Sequence, residues 1–508
     1  MKKILLVLAI GCCAISASAA GLNVFASELN STTPNSVEFL LNDEADVVLN
    51  IIDNGTVVGT IEIGHCSKGQ NTFEITDTDV PAGTYNWSIT AKAATVTEAA
   101  LVGNCTTDNV LQIANTRGLA IDNNPESKFF GHIYATSIAA NKKTGARLGT
   151  GIYVLNAALQ DFAEQGNTPY SCNVSWDGTN SSPMRVAVAE NSDLYIGDWS
   201  DTHSGVWVMN PEDTSVANPV LGGTRNADGL ASVDGVDVHG SIVDICLVGS
   251  GAELKMYTAD EDMPNVLNRY DLGESKAIWE TAPSATWANV TGFINKTDCI
   301  ESDRNGGIWL CQNRYDNGAQ YPSLLHLNGN GELDYSMSDI NILPGSYPGA
   351  AMGVSRDGKT LAVADGKSAY VFDVNFAEGV PALTRKHKVS SPASARPYKC
   401  DFDAAGNLYV AYNDDNGGIC QFAIPKETNE FTTPARGTME LTIQTGVFEE
   451  TVNSAISYRS GIISAAEGAE VFNALGAKVA EGTEISTEDL AAGVYIVRAG
   501  NQTLKIIR

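Results

Sequence analysis

The stretch Cys400–Phe422, CDFDAAGNLYVAYNDDNGGICQF, decides how the rest of the chain is read. An apolar approach runs into an Asp403-Ala404-Ala405-Gly406-Asn407 turn, then the apolar and aromatic strand Leu408–Tyr412. A second polar turn and another short strand follow. In such a turn the Asp side chain bonds the following N–H groups, and the Gly supplies a positive φ. Looser copies recur at Gly131–Thr136 (GHIYAT), Ser192–Asp198 (SDLYIGD), Ser241–Val248 (SIVDICLV), Gly306–Cys311 (GGIWLC) and Gly358–Ala364 (GKTLAVA). A further strand follows most of them: Gly151–Leu155, Gly205–Met209, Glu253–Tyr257, Ser323–Leu327, Ala369–Val374 and Gly418–Ala423. Copies start roughly fifty to sixty residues apart, near the period of a four-stranded blade.

One such sheet cannot bury both faces, and its edges invite aggregation. Radial packing against neighbouring sheets solves both problems, so residues 106–446 read as a β-propeller. Six blades are counted, or seven if Ala277–Thr297, with Trp279 and Trp287, holds another. The chain at 410–446 and 106–134 suffices to close the circle, with one strand supplied from the other end. The turns Val354-Ser355-Arg356-Asp357-Gly358 and Phe402–Asn407 resemble those of bacterial surface propellers and of the lactonase-like and NHL-type families. That resemblance implies an architecture and no activity.

The flanking pieces read as small β-sandwiches. Residues 1–20 form a signal peptide, with Lys2 and Lys3, an apolar Ile4–Ile10 and an Ala17-Ser18-Ala19 cleavage motif. The mature chain then begins at Ala20 or Gly21. Ala9-Ile10-Gly11-Cys12 is a degenerate lipobox and leaves a lipid-anchored or periplasmic alternative open. In residues 21–105, Val37–Leu41, Val47–Ile52, Thr56–Ile63, Thr72–Ile75 and Asn86–Thr90 read as strands, and Asp53-Asn54-Gly55 as a hairpin turn. With the late Ala82-Gly83-Thr84-Tyr85, this resembles the immunoglobulin-like (FlgD-like) modules of secreted bacterial proteins.

Residues 425–460 contain Pro, Thr and Glu and read as the exit from the propeller, with the tail domain at 447–508. There, Val471-Phe472-Asn473, a Gly476 turn, Gly493-Val494-Tyr495-Ile496-Val497 and the terminal Leu504–Arg508 resemble the type A C-terminal sorting domain of the type IX secretion system. The resemblance implies export across the outer membrane and recognition by that machinery. Ser464–Gly468 is polar and alanine-rich where the family has a firmer strand. No stretch after the leader is long and apolar enough to span a bilayer.

At 508 residues the chain exceeds one ordinary core. Its 60 acidic against 32 basic residues give a net charge of -28, which disfavours nucleic acid as a partner. Solubility outside the cell or a calcium-loaded surface would both account for it. Asp260-Glu261-Asp262 and Asn413–Gly417 are the acidic clusters, but neither has the ligand spacing of an EF-hand, so no cofactor is assigned. Eight cysteines remain after the leader, an even count that permits disulfides in an oxidising compartment. Cys299 with Cys311, Cys400 with Cys420, and Cys66 with Cys105 are the pairs their positions suggest.

Catalytic signals are sparse. Gly353–Thr360, GVSRDGKT, matches the phosphate-binding loop literally, but a strand follows it instead of a helix, so it reads as a hairpin turn. There is no G-x-S-x-G elbow. His132, His203, His239 and His326 are scattered. Lactonase-like propellers hold a metal in the channel through acids from several blades, and Asp122, Glu190, Asp237, Asp303, Asp357 and Asp403 are the acids that could converge. Turn capping is the competing role for them. Trp207 and Trp309 read as core. Trp199, beside Asp198 and His203 in a polar loop, offers a flat face for a ligand.

These readings lead to a secreted or cell-surface binding protein whose propeller loops meet a glycan or a protein. No enzyme is indicated. A metal-dependent hydrolase or lyase of lactonase-like type, and a structural component of the cell envelope, are the alternatives.

Overall fold

The computed structural model describes residues 21–138, 147–174, 176, 182–199, 205–221, 224–225, 231–233, 236–262, 266–274, 285–289, 297–312, 315–316, 319–320, 322–337, 348–365, 367–391, 396–413, 417–443, 456–459, 461–500 and 502–508. Residues 1–20, with Ala19 and Ala20 of the expected cleavage site, and His203 lie outside these residues. The regular elements described are strands, plus the 3-10 turns Gly251–Glu253 and Thr487–Asp489.

Among the described residues, six sheets succeed one another around a channel. Their first strands are Thr116–Ile121, Arg185–Val188, Ile242–Val248, Thr297–Ser302, Pro348–Val354 and Arg396–Phe402. Each touches the next, and the sixth returns to the first. Second strands such as Ile133–Ser137, Leu194–Asp198 and Ile308–Gln312 are buried at every residue, because a neighbouring sheet covers both faces. Shared cores carry this packing. Tyr134 and Ile196 bridge the first two sheets, Tyr195 and Met256 the next pair, and Trp309 and Phe372 the fourth and fifth. A further cluster joins the fifth, sixth and first through Val371, Tyr409 and Tyr153. The architecture is mainly β, a β-propeller.

The ring closes with a strand from upstream. Ala100–Gly103 pairs antiparallel with Gly418–Ala423 and forms the outer edge of the sixth sheet. Two readings of the repeat need correction. Ser241–Val248 is not a second strand but contains the first strand of the third sheet. Its following turn carries Gly249 and a 3-10 turn instead of the Asp-x-x-Gly signal. Trp287 lies in Ala285–Asn289, the outer strand of that same third sheet, and not in a further blade; Trp279 is outside the described residues.

The N-terminal sandwich is also built from distant chain. One sheet orders Ala26–Asn30, Ser36–Leu41 and Gly69–Glu74; the other contains Thr56–Cys66, Ala45–Asp53 and Gly83–Lys92. Val37, Phe39 and Leu41 face Val47, Leu49, Ile51, Trp87 and Ile89 in one core. Asn54 and Gly55 carry φ of 47° and 79°, as the two-residue hairpin requires. Glu430–Pro434 and Met439–Leu441, expected inside 106–446, instead pair with Gly83–Lys92. Met439 and Leu441 bury into the sandwich core, which explains the correction. Phe25, Phe130 and Phe431 pack together where the sandwich meets the propeller, with Phe25–Phe130 centroids 5.4 Å apart.

In the tail, Ile462–Asn473 runs as one strand through the alanine-rich stretch. A register shift between Ser464 and Ala469, with Gly468 at φ +86°, absorbs the irregularity. Val471, Val497, Tyr495 and Ile506 share its core.

Cys299, which lies opposite Cys311 in the ladder, is a free thiol, as are Cys66, Cys172, Cys246, Cys400 and Cys420. Cys400 and Cys420 both lie opposite Val410, on either side of its strand, so two strand spacings separate them. Cys66 stands in the sandwich. Cys105 meets Cys420 instead, sulfur to sulfur at 3.3 Å.

Candidate functional site

Most of the six acids that could have converged on a metal do other work. Asp303 accepts from Asn305 N at 2.6 Å and Gly307 N at 2.8 Å, and its other oxygen meets His326 Nε2 at 3.1 Å. Asp357 accepts from Ser355 Oγ and Lys359 N. Asp403 accepts from Asn407 N, Asn407 Nδ2 and Tyr409 OH, and burial pushes its carboxyl up to about 6. Asp122 accepts from Asn124 N and Ser127 Oγ. Glu190 is exposed and lies 3.6 Å from Arg356. The Asp237 side chain is outside the described set. Four of the six therefore cap their own turns, and no group of three His, Cys, Asp or Glu side chains forms a metal set among the described residues.

Charged groups do meet in the channel, from positions within first strands. Lys399 of the sixth sheet donates from Nζ to Glu301 Oε1 at 2.8 Å and to Asp244 Oδ2 at 3.1 Å, across the ring. Arg185 Nε lies 3.4 Å from Asp244 Oδ1, and Ile300 N donates to Asp244 Oδ2 at 2.8 Å. The side chains of Lys399, Asp244 and Arg185 are 4%, 1% and 1% exposed. Burial works against the Lys399 charge, yet Asp244, Cys299 and Glu301 hold its ammonium well above the usual lysine range. This group plugs the channel.

Where the first strands end, Arg356 Nη1 donates to Asn123 O, and Arg304 Nη2 donates to Val354 O. A cavity of about 140 Å³ remains between this lacing and the plug, lined by Asp122, Glu301, Arg304, Lys399 and Asp401 among others. It is well below the size of small-molecule pockets. Asp401 accepts from Ile121 N and Phe402 N there, while burial, with Glu301 nearby, raises its carboxyl to about 7.

The opposite mouth, where first strands begin, has another character. The guanidiniums of Arg117, Arg185 and Arg396 lie 5.1, 5.6 and 5.3 Å from the centroid of the Tyr398 ring. Arg117 also stacks on Trp199 at 5.1 Å. Gly118 allows this: a Cβ there would meet Arg185 Cα at 3.0 Å and Thr136 Oγ1 at 2.7 Å, so the first two sheets approach closely. Burial, then Arg185 and Arg396 beside it, pushes the Arg117 guanidinium below its ordinary value, although Tyr398 opposes them.

Trp199 is half-buried at this mouth and follows the strand Leu194–Asp198. Asp198 is buried and accepts from Ser182 Oγ, and Ser182 Oγ accepts the Trp199 N–H at 3.0 Å. Asp198 thus anchors Trp199 and does not itself reach outward. Sequence reasoning singled out Trp199 but missed the arginines. Their signal was a charged residue at or near the start of each of three first strands. Trp207 lies in Gly205–Asn210 and packs edge-on against buried Trp176, and Trp309 is fully buried.

No family model matches the sequence, and no curated protein matches it. Solved structures are similar in outline. A Bacteroides thetaiotaomicron VPI-5482 protein of unknown function is 12% identical with TM-score 0.39, covering 79% of this chain and 98% of that one. A Xanthomonas campestris gluconolactonase is 13% identical with TM-score 0.39, covering 68% and 97%. The Swd1 β-propeller domain of Myceliophteria thermophila is 8% identical with TM-score 0.36, covering 64% and 100%. Likeness at this level carries no conclusion about what this chain does.

Proposed function

We propose that the protein is an exported binding protein, secreted or held at the outer cell surface, whose six-bladed propeller takes an anionic glycan at the mouth around Trp199. The immunoglobulin-like sandwich and the type IX sorting tail belong to this reading as the flanking domain and the export signal. One observation carries it: the guanidiniums of Arg117 and Arg396 stand over the Tyr398 ring, with Trp199 beside them, in a chain of net charge -28. A concentration of cations against that overall charge suits carboxylate or sulfate groups, and the aromatic faces suit a sugar ring. The internal plug supports binding over catalysis, because its charged groups satisfy one another.

A glycan microarray carrying neutral, uronate-bearing and sulfated glycans tests the proposal. Binding to the acidic glycans should fall at least tenfold in Trp199→Ala and in Arg396→Ala. Absence of binding to acidic glycans, or binding indifferent to both substitutions, would overturn it.

A further inference from the structure

We infer that the crevice between the N-terminal sandwich and the first sheet is a second binding site, for a neutral pyranose ring. It is separate from the arginine mouth and needs no part of that reading. The crevice has a volume of about 460 Å³, within the range of small-molecule pockets. Its walls come from four places: Glu28 on the sandwich, Phe129 and His132 beside the first turn of the propeller, Phe162, and Thr433 on the returning strand.

Two features set this place apart from a plain docking surface. His132 is 2% exposed, lines the crevice, and neither ring nitrogen makes a hydrogen bond among the described residues. Its nearest charged neighbour is Glu28, with Oε1 3.3 Å from Nε2 but not aligned to share a proton. A buried polar group left without a partner is costly, and a ligand hydroxyl can both donate and accept there. Glu28 holds a positive φ of 52° within a register shift between Ser27 and Asn30. Such irregularities re-aim a side chain, and strained backbone clusters at ligand sites.

The chemistry of the walls selects the ligand. Phe162 is 45% exposed and its ring centroid lies 4.1 Å from that of His132, so an apolar face stands open beside the unsatisfied groups. Phe129 stands edge-on to His132 at 5.6 Å. Aromatic faces next to a carboxylate and an imidazole match the C–H face and hydroxyls of a sugar. Lys128 and Arg436 also line the crevice, but Lys128 is paired with Glu212 at 3.1 Å and Arg436 is exposed. Glu28 stands 3.3 Å from the His132 nitrogen that a ligand must reach, and a ring bearing its own carboxylate would meet that charge there, so the ring is neutral.

The test is saturation-transfer-difference NMR on the full chain, with methyl α-glucoside, methyl α-galactoside and methyl α-mannoside as probes and glucuronate as the charged comparison. At least one neutral glycoside should bind saturably in the millimolar range, and its signal should fall at least fivefold in Phe162→Ala and in Glu28→Gln. Phe162→Ala alters an exposed side chain, so an unchanged unfolding temperature will separate lost binding from lost fold. Trp199→Ala should leave this binding intact, which distinguishes failure of this site from failure of the mouth. Absence of saturable binding by all three glycosides, indifference to Phe162→Ala, or tighter binding of glucuronate would each overturn the inference.

Discussion

Replacing Lys399 by Met should destabilise the propeller more than any surface change. The substitution keeps the side chain's length and apolar stem but removes the ammonium that meets Asp244 and Glu301. Removing one partner of a buried ion pair costs about 3–5 kcal/mol, because the charge left behind is desolvated without compensation. Asp244 keeps Arg185 at 3.4 Å and the Ile300 N–H, which places the loss toward the lower end. For a propeller of about 320 residues, an unfolding entropy near 2.1 cal/mol/K per residue converts this to a fall of roughly 4–7 °C in Tm. Differential scanning calorimetry should follow the propeller's own transition, since a multidomain chain need not unfold in one step. A cycle with Glu301→Gln adds a second check: the double variant should lose less than the sum of the singles. A Lys399→Met transition within about 1 °C of the parent would refute the plug as a structural element.

Two further predictions follow from buried groups. Cys105 and Cys420 should form a disulfide when the folded chain is treated with oxidised glutathione, with Cys420 the attacking thiolate; the Cys105 thiol beside it lowers its pKa to about 7. Non-reducing peptide mapping should find this cross-link, and the chain-entropy estimate for so long a loop is about 6 kcal/mol of stabilisation; a dominant link between any other pair would contradict the geometry. The second concerns pH. Asp401 and Asp403 carry folded-state values of about 7 and about 6, above the unfolded range, so they bind protons on folding. Their contribution is fully present below about pH 4 and is lost as pH rises through 6–7. Between pH 5 and 8 the Tm of Asp401→Asn should therefore vary less with pH than that of the parent, and an equal or steeper variation would count against the assignment.

What the sequence made legible follows from how local the signal is. The Asp-x-x-Gly turns announce the second strands because a single loop satisfies its own Asp, as Asp403 does with Asn407. The third sheet escaped this reading because its turn lacks that Asp. The phosphate-loop match at Gly353–Thr360 has a physical cause of another kind. Gly353 lies in a first strand, where a Cβ would come within 2.5 Å of Cys400 O, and Gly358 takes a φ of +71° in the hairpin. The channel group was invisible because Lys399 and Asp244 are 155 residues apart, and each reads as a lone charge in an apolar strand. The sandwich strands at Glu430–Pro434 and Met439–Leu441 are short and meet their partners more than 300 residues away. No local pattern encodes that.

This last pairing bears on the order in which the molecule can fold. Most of the sandwich precedes the propeller in the chain, yet Met439 and Leu441 of its core come only after the whole propeller. The propeller in turn needs Ala100–Gly103 from upstream to finish its sixth sheet. Neither unit can reach its final state alone, and both wait on contacts of very large sequence separation, the kind that slows folding. The early strands must therefore remain incomplete, with apolar faces open, until residue 441 is available. A chain built this way closes both units together, and it makes truncation between 423 and 441 a way to expose the sandwich core while leaving the ring's own strands intact.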